Sequence, residues 1–210
     1  MLNEPHPIEV QSYKLLRAEL DRVYPEVAEL PPLSRAVVER VVHATGDVTL
    51  VPDLVVDEVA LQAGRDAIEA GAPLITDVRM TSAGVSGGIC AIDFCPVAPA
   101  GSTRSRAGMK IALEQADGPV IVVVGCSPTS VWALLDAVES GIPAPVLTVA
   151  TPVGYVDAVE SKTALATSGL PWVGNTNRRG GAAIASAMVN ALRYHPRYEG
   201  DTNAVRPLTV

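Results

Sequence analysis

PVIVVVG (119–125), APVLTVAT (144–151) and PWVGNT (171–176) are short runs of β-branched and small apolar residues, each with a proline at or beside its start. Apolar residues at successive positions leave neither face of a strand for water, so these runs predict strands buried on both sides, as a parallel sheet requires. Between them lie PTSVWALLDAVESG (128–141) and DAVESKTALATSG (157–169), and GAAIASAMVNALRY (181–194) follows; all three read as helices. The alternation is βαβ, which places the chain in the α/β class with a central, mainly parallel sheet.

Upstream the pattern is less regular. APLITD (72–77) and GICAIDF (88–94) predict strands, and DEVALQAGRDAIEAG (57–71) and TRSRAGMKIALEQA (103–116) predict helices. An N-terminal helix over QSYKLLRAELDRVY (11–24) offers Leu15, Leu16 and Leu20 as its apolar stripe, until Pro25 and ELPPL (29–33) interrupt it. A second helix begins near Ser34 as N-cap and carries Val37, Val38, Val41 and Val42. It ends at Gly46, a residue type that commonly closes helices. His43 falls in its last turn. No Ser/Gly linker, repeat or low-complexity tract divides the chain, so residues 1–210 are expected to form a single domain. A polar, Pro-interrupted tail over about 195–210 is expected to hang free or lie over a neighbour.

With 210 residues, 48% of them hydrophobic, the chain has enough apolar surface for a substantial core. Aromatics at 4% suit small-residue helices on strands rather than an aromatic-rich sandwich. The net charge of −7 repels a nucleic-acid backbone, so a nucleic-acid partner is not expected. An anionic small molecule would have to be held by local arginines. Cys90, Cys95 and Cys126 lack CxxC spacing, which argues against a disulfide framework or zinc site and for a reducing compartment. With no basic apolar leader and no apolar run near the ~20 residues that span a bilayer, a cytoplasmic protein without a membrane partner is expected.

In such a sheet ligands bind beyond the carboxyl ends of the strands. GCSPTS (125–130), TPVGYVDAVESK (151–162) and NTNRRGG (175–181) lie there, and none has a dinucleotide or P-loop glycine pattern. His43 reads first as a helix-end histidine satisfied by a carbonyl, and second as a proton donor whose proton affinity the helix C-terminus raises. His6 and His195 sit in Pro-flanked terminal segments and read as surface residues. Cys126, before Ser127 and Pro128, is either a small filler of a tight turn or a nucleophile activated at a helix N-terminus. Arg104, Arg106, Arg178 and Arg179 can clamp carboxylates bidentately, or be solvated surface charges.

Several segments, in order, resemble the precorrin-8X methylmutases: SYKLLRAE (12–19), VVHATGDV (41–48), ALQAGRDAIEAGAPLITDVRM (60–80) and TRSRAGMK (103–110). The likeness continues through the long run from GCSPTS to ESKTAL (125–165) and RRGGAAIASAMVNAL (178–192). It implies a three-layer α/β/α fold, a homodimer and an isomerase of cobalamin biosynthesis. Such an enzyme shifts a methyl group from C-11 to C-12 of precorrin-8X to give hydrogenobyrinate, or converts the cobalt analogue to cobyrinate. No cofactor is implied, since any cobalt belongs to the substrate, and neighbouring corrin-pathway enzymes would take the product.

By the same resemblance His43 corresponds to the catalytic histidine that protonates the macrocycle, and an imidazole with an ordinary pKa near 6.5 suits that task. Ser12 corresponds to a substrate-contacting serine, although its position also suits a helix N-cap. Arg104 matches the arginine of the TRS segment and suits acetate or propionate groups. Arg17, Thr103, Thr129 and Tyr155 are further substrate-binding candidates, and no metal ligands are expected. The chain departs from the family pattern in the stretch 29–33, which looks longer than usual, in Cys126 where Asn is common, and in the tail after Tyr194. Two other functions stay open: a non-catalytic tetrapyrrole carrier, and a Cys126-dependent hydrolase or transferase.

Overall fold

The computed structural model of the protein describes residues 7–194, so His6, His195 and the expected tail lie outside the described residues. In chain order the elements are α1 (Pro7–Val23), a 3-10 turn (Pro25–Glu29), α2 (Pro32–Thr45), a 3-10 segment (Val48–Asp53), β1 (Leu54–Val55) and α3 (Glu58–Glu69). They continue with β2 (Leu74–Thr76), α4 (Arg79–Gly84), β3 (Ile89–Cys90), a 3-10 turn (Ala91–Phe94), α5 (Arg104–Glu114) and β4 (Ile121–Val124). The last are α6 (Pro128–Glu139), β5 (Leu147–Ala150), α7 (Ala158–Thr167), β6 (Trp172–Asn175) and α8 (Ala182–Tyr194).

The strands form one sheet in the order β1-β6-β5-β4-β2-β3, parallel throughout except for β1, which runs antiparallel to β6. Along β4, Ile121 and Val123 turn to a core shared with α2, α3 and α8, while Val122 and Val124 turn to a second core under α5, α6 and α7. Alternate side chains of a strand point to opposite faces, so the continuous apolar runs reflect helices on both sides. This is the expected three-layer α/β/α arrangement. α1 lies outside it, packed through Tyr13, Leu16 and Leu20 on Val38 and Val42, which α2 turns away from the sheet.

Four local expectations need correction. Leu15 is 61% exposed, and Tyr13 takes its place on the buried stripe, because 13, 16 and 20 share one helical face. Ser34 is not the cap of α2. Pro31 holds that position, and Glu58 of α3 accepts from Leu33 N (3.0 Å), Ser34 N (2.8 Å) and Ser34 Oγ (2.8 Å), capping α2 from across the interface. GICAIDF yields only a two-residue strand before winding into its 3-10 turn, so one partner strand and an exposed edge suffice for it. The short β1 and α4 were not anticipated. β1 closes the sheet edge on β6, pairing Leu54 with Asn175.

Candidate active site

The switch point of the sheet lies between β2 and β4: the chain leaves β2 toward β3 on one side, and from β4 onward builds toward β6 on the other. Asp77, directly after β2 and 0% exposed, fills this crevice. Its carboxylate accepts from the backbone N–H groups of Gly125 (3.2 Å), Cys126 (2.7 Å) and Ser127 (2.7 Å) and from Thr81 Oγ1 (2.7 Å). The anion-binding amides of the β4–α6 turn are therefore taken by the protein's own side chain. Gly125 allows the close fit, since a Cβ there would come within 2.5 Å of Thr81 Oγ1 and 2.8 Å of Ala182 Cα.

The same crowding decides Cys126. Burial, followed by the Asp77 charge, pushes its thiol pKa up, and the amides that would have stabilised a thiolate point at Asp77 instead. Of the two readings of Cys126 this favours the filler of a tight turn over the activated nucleophile, because a raised pKa disfavours the attacking thiolate.

His43 stands apart from the crevice, in the last turn of α2, half-buried. Ser12 Oγ lies 2.9 Å from its Nδ1. The Tyr13 ring stacks on the imidazole with centroids 4.8 Å apart and planes 14° off parallel. Adjacent residues of α1 thus hold the ring by edge and face, and among the described residues Nε2 has no hydrogen-bond partner. Ser12 lies within α1 rather than capping it. Tyr13 is itself fixed, its hydroxyl accepting from Arg40 Nη1 at 3.3 Å while the guanidinium of Arg17 lies 5.8 Å from the ring centroid.

The proton affinity of His43 differs from expectation. Burial first, then the Arg40 charge one turn earlier on α2, lower its pKa below 6.5, against a smaller opposing pull from Glu9. Gly46, in the left-handed conformation at φ 65°, donates its N–H to Val42 O, and Thr45 Oγ1 donates to Val41 O at 2.8 Å. The shift favours the neutral imidazole in the resting site.

The other candidates fall into separate groups. Thr103 and Thr129, at the N-termini of α5 and α6, lie 2.7 Å apart through their hydroxyls. Ser105 and Ser127 join them, with Ser105 Oγ 2.7 Å from Ser127 Oγ and 3.2 Å from Thr129 Oγ1, forming a four-hydroxyl cluster. Arg104 is partly engaged: its Nε donates to Cys95 O at 2.9 Å and its Nη2 to Ile92 O at 3.4 Å, pinning the turn after β3. Arg17 forms a bidentate pair with buried Glu39, Nε to Oε1 at 3.0 Å and Nη2 to Oε2 at 2.8 Å, which Arg35 also joins. Tyr155 is 89% exposed, with the Arg178 guanidinium 5.2 Å from its ring centroid. Arg106 pairs with Asp136.

Arg179 is partly exposed but paired. It reaches Asp53 Oδ2 (2.7 Å), Asp47 Oδ2 (3.3 Å) and Thr49 Oγ1 (2.9 Å), joining the β6–α8 loop to the segment that follows α2. The His43 end of α2 is thereby brought to the carboxyl edge of the sheet. Among the described residues no group of three His, Cys, Asp or Glu side chains converges to hold a metal.

Sequence reasoning missed Tyr13, Arg40, Ser105, Ser127, Asp77 and Lys162. Four of these had a signal, Lys162 through its place on the buried stripe of α7. Arg40 lies three residues before His43 and so shares its helical face, and Ser105 and Ser127 each stand two residues from a hydroxyl already singled out.

The precorrin-8X methylmutase family model (CbiC) matches residues 7–195. A protein named precorrin-8X methylmutase from Pseudomonas aeruginosa is 39% identical over 197 residues, covering 87% of this chain and 91% of that protein. One named cobalt-precorrin-8 methylmutase from Salmonella typhimurium is 33% identical over 211 residues, covering 93% and 98%. The crystal structure of a precorrin-8X methylmutase from Thermus thermophilus superposes with a TM-score of 0.76 at 30% identity, covering 89% of this chain and 96% of that one.

Proposed function

The chain belongs to the precorrin-8X methylmutase family, and from that membership we propose that it isomerises precorrin-8X, or its cobalt-carrying analogue, by moving a methyl group from C-11 to C-12 with His43 as proton donor and acceptor. The observation that carries the role of His43 is its mounting: Ser12 on Nδ1, Tyr13 on one face, and Nε2 without a partner among the described residues. A ring fixed at one nitrogen presents the other in a constant direction, which general acid–base catalysis requires. The chemistry is redox-neutral and intramolecular, so it needs no redox cofactor. Ser12, Arg17, Thr103, Arg104, Thr129 and Tyr155 are proposed to bind the macrocycle, with the four-hydroxyl cluster accepting or donating to its carboxylates. A homodimer in the cytoplasm, passing product to a neighbouring corrin-pathway enzyme, fits the same reading. Among the described residues no helix is long and apolar enough to cross a membrane.

A neutral resting imidazole is converted to a donor by the substrate itself. The carboxylates of the bound macrocycle favour the imidazolium, so binding raises the proton affinity that burial and Arg40 depress. Catalysis by the cationic form is lost as pH rises through the His43 pKa. On kcat/KM, which reports the free enzyme, that fall is expected below pH 6.5, and on kcat, which reports the complex, at higher pH. Coincident midpoints in the two profiles would remove the substrate's part in the protonation.

Conversion is tested by incubating the enzyme with metal-free precorrin-8X and with the cobalt analogue and following the absorption spectrum. At least one is expected to be turned over, whereas stoichiometric binding of both without a product spectrum would leave only a carrier. The thiol reading is tested by Cys126→Ala, which is expected to leave turnover unchanged, because Asp77 and burial disfavour the thiolate. Loss of turnover in a folded variant would reinstate the cysteine.

A further inference from the structure

Lys162, in the second turn of α7, is 1% exposed. Among the described residues no carboxylate forms an ion pair with it. Its Nζ donates instead to Pro152 O at 3.1 Å, to Asn175 Oδ1 at 3.0 Å and to the carbonyl of Asn177, with Arg179 O at 3.5 Å. The first acceptor belongs to the β5–α7 loop and the others to the end of β6 and the β6–α8 loop. Asn175 completes the knot by donating Nδ2 to Arg179 O at 2.6 Å. From the far side of that loop the Arg179 guanidinium runs to Asp47 and Asp53, just beyond the helix that carries His43. A buried ammonium is costly, and a structural tie between loops does not by itself require one where neutral side chains can pack.

We propose that Lys162 is a positioning residue: its buried ammonium ties the loops 151–157 and 175–181 into one wall of the macrocycle site. The wall presents Tyr155 and Arg178, which meet across the two loops, and holds Arg179 against Asp47. It acts on substrate through these side chains and touches no reacting atom. The proposal rests on the reading of the carboxyl edge of the sheet as the macrocycle site.

The charge makes the tie sensitive to pH. Burial lowers the Lys162 pKa to about 8, opposed by Asp53; among the described residues Arg179 and its partner Asp47 are further charged groups joined to the knot. An ammonium offers three donors and a neutral amine two, so at least one loop carbonyl is released above that value. The wall is held at neutral pH and loosens as pH rises.

Two measurements test this. Lys162→Met keeps length and apolarity but removes every donor. In a variant with wild-type circular dichroism, KM is expected to rise about ten- to hundredfold, the loss of one charge-assisted contact, with kcat changed less. A fall in kcat with KM unchanged, or no change in either, would overturn the positioning role. The second needs no variant. In the wild-type protein, amide exchange of 153–157 and 175–181, corrected for its intrinsic pH dependence, is expected to accelerate between pH 7 and 9.5 while α8 stays protected. Unaltered protection of both loops over that range would equally overturn the proposal. If the exchange result holds but the enzyme converts neither macrocycle, the tie stands and the methylmutase site does not.

Discussion

His43→Ala binds the macrocycle with nearly wild-type affinity and converts it about 10²–10⁴ times more slowly, the usual contribution of a positioned acid–base group. Binding survives because the groups proposed to meet the substrate's carboxylates lie on other elements: the hydroxyl cluster at α5 and α6, and Tyr155 on the β5–α7 loop. The fold survives because the imidazole is half-buried at a helix end, and its loss removes one stacked pair worth about 1 kcal/mol. Spectral titration gives the affinity and single-turnover mixing gives the conversion rate. Ser12→Ala is the companion: it frees Nδ1 without removing the ring, so it is expected to slow conversion by less than His43→Ala and to shift the pH profile rather than abolish it. Wild-type turnover by His43→Ala would end the proton-transfer role, and weakened binding with normal turnover would make His43 a substrate contact only.

The sheet was legible because its physics is local. Ile121 to Val124 is apolar at every position, and only helices on both faces make that pattern stable in water. Gly46 at the close of α2 was legible for the same reason, since a left-handed C-cap selects glycine. The pieces that failed depend on partners distant in sequence. Ser34 resembles a cap until Glu58 arrives from another helix, and the proton affinity of His43 is set first by burial, then by Arg40, with Glu9 of α1 opposing. Lys162 left a trace that went unused. Ala158, Ser161, Lys162 and Leu165 share the buried side of α7, so a lysine stood on a stripe otherwise small or apolar. A charge on a core stripe asks for acceptors, and the loops past β5 and β6 supply them.

Asp77→Asn lowers the unfolding free energy by about 3–5 kcal/mol, the usual cost of removing one member of a buried, charge-bearing network. The substitution keeps volume and shape, so cavity formation is not the cause. One carboxylate oxygen receives Gly125 N–H and the Thr81 hydroxyl, the other Cys126 and Ser127 N–H. An amide turns one of those acceptors into a donor facing donors. In either flip buried hydrogen-bonding groups are left opposed, with no water at 0% exposure to relieve them. For a domain of this size the change corresponds to a melting temperature lower by about 10 °C. Urea unfolding at pH 7 measures it directly: the midpoint falls while the slope stays constant, because the same surface is exposed on unfolding. A midpoint within error of wild type would mean that the β4–α6 turn does not depend on this carboxylate. The expected result has a functional side. Since Asp77 occupies the crevice where α/β sheets commonly seat an anion, a polycarboxylate substrate must be met beside it, by the hydroxyls of Thr103, Ser105, Ser127 and Thr129 and by the loops past β5 and β6. Asp77 also fixes the N-terminus of α6, the element that carries Ser127 and Thr129. Asp77→Asn is therefore expected to raise KM at temperatures where the variant is still folded, leaving the His43-dependent pH profile of kcat in place.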